Sequence, residues 1–522
     1  MPFHAPGSHP VAVKLTPRRV QEYNIQRILS EPTKAILDAS DVGAGKTLIT
    51  SEAATRAGWT RVLVVGIKDT FAQWTERLSL QSDGAIVMRR IDGTVKGKAA
   101  FAALLAGEDG YFFIGSQMLQ TQDWTRIFLT GEDGRRIVKI VKSTNQAVVK
   151  ASKAIGPQLV PVLETKRKHL FTYRKMRQLD ALIYDEAHTG ANRKSNTIGT
   201  IRTISTEWRL ALSATFYGNK FEHAHTITRW LWPDVKNAEG DYLIDPRVYA
   251  WRDQWCVTEE KFVGREKPVV SVLGERVPGA FVATLPCYLR IEAEKVAPAP
   301  EVMLVNLSPE ERAAYDQMEE EGVMWLESHA GLEPLVANLP ITKRLRLRTA
   351  ALGTMALDGE EIYFDRNMKS TKLHALRHLI DSWPEENVLI FTHSRRFAIV
   401  VAERMKAAGY AAELWTGEVS SKERDQIKAS FLARKTRYIV AVIESIGTGI
   451  DGLQTVCNKV IWLSRSDNTT ANAQATGRIW RQGGDLENYK SVEIVARDTY
   501  DEGVFHNDRV RGANMIQTMK AA

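Results

Sequence analysis

Short apolar runs alternate along this chain with longer stretches whose apolar positions fall at helical spacing. The runs at 35–37, 61–66, 85–89, 111–115, 181–184 and 209–215 read as buried strands. Between them, 15–29, 48–57 and 69–78 read as amphipathic helices. Strand–helix alternation predicts a mostly parallel sheet covered on both faces, with ligands bound beyond the carboxyl ends of the strands. The pattern recurs later. Runs at 387–393, 412–417, 438–445, 459–463 and 489–495 predict a second sheet, with a helix ending before Gly409. Capping boxes at Ser308–Glu311, with Pro309 at the first helical position, and at Ser420–Glu423 mark two further helix starts. The segment 341–348 is predicted to be helical and basic.

A chain of 522 residues has room for two or three domains. The reading divides it into a Pro/Gly/His arm (1–14), a first α/β lobe (15–232), a connecting region (233–369) and a second α/β lobe (370–522). The net charge of +8 is unevenly placed. Between Arg135 and Arg177 twelve Lys/Arg face one acid, Glu164, so this stretch carries +11 and the remainder about −3. The basic stretch interrupts the first lobe as an insertion at about 121–178. Its triplet Lys166, Arg167 and Lys168 is a candidate nucleic-acid contact. Cys256, Cys287 and Cys457 are too scattered for a disulfide framework or a zinc site. With no apolar run of membrane-spanning length and no secretory pattern at the N-terminus, the expectation is a soluble protein of a reducing compartment. The compact form, without zinc modules, adds the expectation of the cytoplasm of a bacterial cell or virus-infected host, or the nucleus if eukaryotic.

The chemistry concentrates at Ser40–Thr47, S-D-V-G-A-G-K-T, set between a strand and a helix start. Gly43 and Gly45 let the turn bring its N–H groups, Ala44 included, against phosphate oxygens, and the helix N-terminus adds positive charge. Lys46 is placed to reach the β- and γ-phosphates and Thr47 to hold Mg²⁺. Ser40 stands where the usual pattern opens with glycine. Gln21, 25 residues before Lys46, has an amide suited to the edge of adenine. Asp185-Glu186-Ala187-His188 follows the strand at 181–184. Asp185 suits Mg²⁺, and Glu186 suits activation of the attacking water. Ser213 and Thr215, at the end of the strand 209–215, are candidate relays. The second lobe has no phosphate loop, but it carries Gln474, Arg478 and Arg481, spaced four and three apart and so expected on one helix face. Two such guanidiniums can stabilise charge on a γ-phosphate. Thr416 and Gly417 are candidate phosphate contacts.

With these residues in place, the chain resembles superfamily 2 helicases, and within them the Swi/Snf-type DNA translocases. S-D-V-G-A-G-K-T is similar to motif I, D-E-A-H to motif II, L-S-A-T-F-Y-G-N (212–219) to motif III, and Q-A-T-G-R-I-W-R to motif VI. The run ending at Trp74 resembles motif Ia, with Ile67 where proline is usual. Asn192 and Ser195 resemble the loop after motif II, and 285–296 the segment that passes between lobes. I-G-T-G-I-D-G-L (446–453) resembles motif V, which makes Gly447 a nucleic-acid contact. The family's usual T-G-T is S-A-T here, and R-Q-G-G replaces the common R-I-G-Q. The resemblance implies an α/β fold of two tandem RecA-like parallel-sheet lobes with a basic insertion in the first. It implies an ATP- and Mg²⁺-dependent motor, monomeric, acting on duplex or branched DNA with little sequence selectivity. Unwinding, an RNA substrate and a catalytically dead nucleic-acid adaptor stay open as alternatives.

Overall fold

A computed structural model describes residues 14–119, 125–130, 136–141, 162–165, 173, 176–218, 220–261, 269–292, 297–328, 331–336, 340–358, 361–446, 452–481 and 483–520. The chain divides into two compact units at Ile291/Glu292. Residues 233–291 therefore cluster with the first unit and 292–369 with the second, rather than forming a connecting region of their own. The cause is strand pairing, since each flank of the boundary donates a strand to the sheet on its own side.

In the first unit the strands are β1 (Ala35–Asp38), β2 (Arg61–Gly66), β3 (Met88–Ile91), β4 (Gly110–Gly115), β5 (Thr125–Thr130), β6 (Arg136–Val141), β7 (Val162–Thr165), β8 (Leu179–Asp185), β9 (Thr206–Leu212), β10 (Cys256–Lys261), β11 (Val269–Glu275) and β12 (Tyr288–Leu289). Seven of them form one sheet in the order β12-β1-β9-β8-β2-β4-β3. Every neighbouring pair in it is parallel. All residues of β1 and β2 are buried, as continuous apolar runs covered on both faces should be. The third strand starts later than the apolar run at 85–89 suggests. Ala85–Val87 lies in the turn after Gly84, and Val87 is 72% exposed. Within the basic insertion, β5, β6 and β7 pair as an antiparallel sheet. Its Lys166–Lys168 triplet lies outside the described residues.

Three helices position the first unit's chemistry: α1 (Arg19–Ser30), α2 (Lys46–Ala57) and α3 (Phe71–Gln81).

The second unit has strands β13 (Glu301–Val305), β14 (Val323–Ser328), β15 (Gly331–Val336), β16 (Ala356–Asp358), β17 (Glu361–Tyr363), β18 (Asn387–Thr392), β19 (Ala412–Trp415), β20 (Tyr438–Val442), β21 (Cys457–Trp462) and β22 (Lys490–Ala496). Six of these form an all-parallel sheet, β13-β22-β21-β18-β20-β19. Along β18, Val388 and Ile390 belong to one apolar core, while Leu389 and Phe391 belong to another. The strand's two-residue period thus feeds a core on each face of the sheet. Both expected capping boxes are present, at Ser308/Glu311 and Ser420/Glu423. The basic stretch 341–348 lies in the helix Pro340–Ala350. All three cysteines are buried and unpaired, and burial pushes each thiol up to about 12. Among the described residues no helix is long and apolar enough to cross a membrane.

Candidate functional site

The phosphate-loop candidate connects β1 to α2 at the carboxyl edge of the first sheet. Gly43 and Gly45 hold φ of +81° and +94°, conformations that glycine tolerates best. Gly45 is the N-cap of α2, and no side chain caps that helix. Its first-turn N–H groups are therefore left for the loop and whatever the loop holds. The Lys46 ammonium donates to the carbonyls of Ser40 at 2.7 Å and Asp41 at 3.1 Å. Gln21, read from sequence as the adenine contact, presses its amide against the loop itself. Its Nε2 donates to the Ala44 carbonyl at 2.9 Å and its Oε1 accepts from the Arg18 N–H at 2.9 Å. A Cβ on Gly45 would lie 2.4 Å from Gln21 Nε2, so glycine is required there for space as well as for φ. The Ser40 side chain turns away from Lys46 and accepts from the Ile291 N–H at 2.9 Å.

Asp185 ends β8, two strands along from β1 in the sheet. Its carboxylate accepts from Trp74 Nε1 at 2.8 Å and from the Glu186 N–H at 3.0 Å. Burial, reinforced by the charge of Glu186, pushes Asp185 up to about 6, while Trp74 and the Lys46 charge pull the other way. Glu186 sits at a left-handed φ of +51°, sparsely populated for a residue with a side chain. Its Oε2 lies 3.3 Å from His188 Nδ1, which lies 2.9 Å from Ser213 Oγ. One imidazole thus joins the D-E-A-H turn to the S-A-T strand end. Thr47 is the second residue of α2, at the same edge. A carboxylate and a hydroxyl are hard oxygen donors that suit Mg²⁺, and a cation beside Asp185 offsets the repulsion from Glu186.

In the second unit, Gln474 lies on the helix Thr469–Thr476. Arg478 and Arg481 do not share that helix face, as their spacing suggests. They follow the helix in turns that begin at Gly477 and are held by Trp480 N–H to the Thr476 carbonyl at 2.9 Å. Gly477, the C-cap, keeps a right-handed backbone at φ −65° and ψ −5°. Thr416 is buried just after β19, and its carbonyl accepts from Arg424 at 3.0 Å. Gly417 follows with open space where a Cβ would stand. Gly447 lies outside the described residues.

A family model for the helicase conserved C-terminal domain matches residues 371–483. The SWI/SNF-related matrix-associated actin-dependent regulator of chromatin subfamily A member 1 of Mus musculus is 23% identical over 338 residues, which is 63% of this chain and 31% of that protein. Chromodomain-helicase-DNA-binding protein 1-like of Danio rerio is 21% identical over 341 residues, 64% of this chain and 31% of that one. Residues 371–483 thus match the helicase conserved C-terminal domain, and the chain is similar to SWI/SNF-related and chromodomain-helicase proteins. It spans 31% of the length of these curated relatives. Among solved structures, the Sulfolobus solfataricus SWI2/SNF2 ATPase core in complex with dsDNA is similar at 16% identity, over 98% of this chain and 97% of that one, with a TM-score of 0.37.

Two features of this chain leave no mark in its sequence. Trp74 is fully buried, and its indole N–H is spent on the Asp185 carboxylate. The D-E-A-H spacing carried no hint of that bond. The second is a cavity of about 650 Å³ lined by Arg193, Lys194, Lys220, Arg252 and Tyr249. The Arg193 and Arg252 guanidiniums lie 5.8 and 5.0 Å from the Tyr249 ring centre. The acid in the lining is Glu222, 3.8 Å from Arg252. These cations are dispersed over sixty residues of sequence, so no charge run announces them. Arg193 and Lys194 lie seven and eight residues beyond Glu186 and Lys220 seven beyond Ser213, while Tyr249 and Arg252 come from the helix Val248–Trp255.

Proposed function

We propose that the chain is an ATP-driven motor that moves on duplex or branched DNA. The observation that supports this best is the convergence at one sheet edge of an uncapped helix start, Lys46 and the Asp185–Glu186 pair, close enough that the lysine charge pulls on the Asp185 carboxyl. Lys46 exchanges the loop carbonyls for the β- and γ-phosphates of ATP. Thr47 and Asp185 would hold Mg²⁺, which would supply charge neutralisation to the phosphates. Glu186 accepts the proton of the attacking water, and His188 holds the Glu186 carboxylate in register with Ser213. Gln474, Arg478 and Arg481, from the second unit, stabilise the charge that develops on the γ-phosphate.

DNA is gripped through its phosphates, by Thr416 and Gly417, by Gly447, by the Lys166–Lys168 triplet and by the cationic cavity at Arg193, Lys220 and Arg252. Such contacts fix position without reading sequence. Part of the cavity, at Arg193 and Lys220, lies on the segments that follow Glu186 and Ser213, so polyanion binding there acts on the hydrolytic residues through short stretches of chain.

The test is ATP hydrolysis measured against duplex, forked and single-stranded DNA and against RNA. Stimulation by duplex or forked DNA supports the reading. Stimulation by RNA alone transfers the motor to RNA, and no hydrolysis with any of them leaves a nucleic-acid-binding adaptor. Strand displacement on the forked substrate separates unwinding from translocation.

A further inference from the structure

The last strand of the first unit continues past β12. The N–H groups of Leu37 and Ala39 donate to the carbonyls of Cys287 and Leu289 at 3.0 and 2.8 Å, and that of Asp41 donates to the Ile291 carbonyl at 2.9 Å. Parallel pairing therefore runs beyond the tip of β1 and along the phosphate loop. Side chains fix the same register. Ser40 Oγ accepts from the Ile291 N–H at 2.9 Å, and Arg290 donates to the Ala39 carbonyl and to Asp41 Oδ1, each at 3.1 Å. The Arg290 side chain is 12% exposed, so these bonds are shielded from water. The next residue, Glu292, is the first of the second unit.

We infer that Arg290 and Ser40 are positioning residues that tie the phosphate loop to the chain entering the second unit, so that nucleotide binding is felt there directly. The inference rests on the ATP reading above. The carbonyls that receive the Lys46 ammonium belong to Ser40 and Asp41. The same two residues hold Ile291 and Arg290. When Lys46 leaves for a phosphate, those peptides lose a charged donor and must readjust. Residues 290 and 291 are bonded to them with no element between. This also accounts for serine at the head of the loop. Ile291 is 6% exposed, and a glycine at position 40 would leave its N–H without the hydroxyl that accepts it.

Hydrogen exchange of the whole chain, with and without MgADP, tests this. In the wild type, nucleotide should slow exchange across 43–48 and also at Ile291, the latter by roughly tenfold. In Arg290→Ala, protection across 43–48 should persist while the response at Ile291 falls away, and the KM for ATP should rise roughly tenfold for the loss of a charged hydrogen bond, with kcat little changed. Arg290→Lys, which can keep one of the two bonds, should fall between. Ser40→Gly should lose the Ile291 response even if Arg290→Ala folds poorly. Protection across 43–48 with no change at Ile291 in the wild type overturns the inference. So does an undiminished Ile291 response in both Arg290→Ala and Ser40→Gly. Absence of nucleotide protection anywhere in the wild type removes the ATP reading itself, and this inference with it.

Discussion

Two helix starts at the carboxyl edges of the two large sheets show how one architecture yields a candidate binding site in one place and a plain connection in another. In the first unit β1 leads through Gly43 and Gly45 into α2, whose N-cap has no side chain. In the second unit β18 leads into the helix Arg395–Ala407, whose N-cap Ser394 accepts from the Phe397 N–H at 3.3 Å. The serine satisfies its own helix, whereas the glycine leaves the first-turn donors for an anion. The strand tips differ in the same sense. Beside β1 stand Lys46 and the Asp185–Glu186 pair. Beside β18 a neutral network closes on itself, with Ser464 Oγ 3.0 Å from Thr392 Oγ1 and 2.7 Å from His393 Nδ1. Burial and the neighbouring cations Arg348 and Lys372 hold His393 well below the usual histidine range, so it stays neutral. A parallel sheet offers the same crevice twice, and capping chemistry decides which one takes a ligand.

The comparison is broken most severely at Glu186. Glu186→Gln should lower single-turnover hydrolysis by roughly 10²- to 10⁴-fold while ATP still binds, as expected for loss of a general base. Rapid-quench assay with a parallel binding measurement checks it. Lys46→Ala should cost roughly 10²- to 10³-fold in kcat/KM with DNA binding retained, read by steady-state ATPase and by fluorescence anisotropy on a labelled duplex. The two caps can then be exchanged in effect. Gly45→Ala places a Cβ in a left-handed conformation at a cost of about 1–2 kcal/mol and drives it into Gln21, so nucleotide affinity should fall roughly tenfold or more. Ser394→Ala should cost about 1 kcal/mol of stability in thermal denaturation and leave nucleotide affinity untouched. The smallest effect is expected at the cationic cavity. Arg193→Gln with Lys220→Gln should flatten the salt dependence of DNA binding by roughly 0.9 per lost phosphate contact, without shifting nucleotide affinity.

The sheets were legible because parallel strands buried on both faces must be continuous apolar runs, as at 61–66 and 387–392. The loop at Ser40–Thr47 was legible because glycine and lysine in that spacing answer a local demand of backbone geometry. What failed depended on tertiary context. Arg478 and Arg481 obey helical spacing, yet the helix stops at Thr476, before them. Val87 is apolar and exposed, so the run at 85–89 slid by three residues. The division at Ile291/Glu292 falls within 285–296, the stretch read from sequence as passing between lobes, but the two-residue strand β12 that pairs with β1 there is too short to leave a pattern. The bond from Trp74 to Asp185 joins residues 111 positions apart, and no local rule connects them.

The buried cysteines have a practical consequence. Attack on an electrophile requires the thiolate, and thiols pushed up to about 12 in the interior hold almost none at neutral pH. A cysteine engineered onto an exposed position of each unit would therefore outpace Cys256, Cys287 and Cys457 in reaction with a maleimide dye. A donor–acceptor pair on the two units then tests whether their separation responds to added nucleotide, in a background where the native cysteines react slowly.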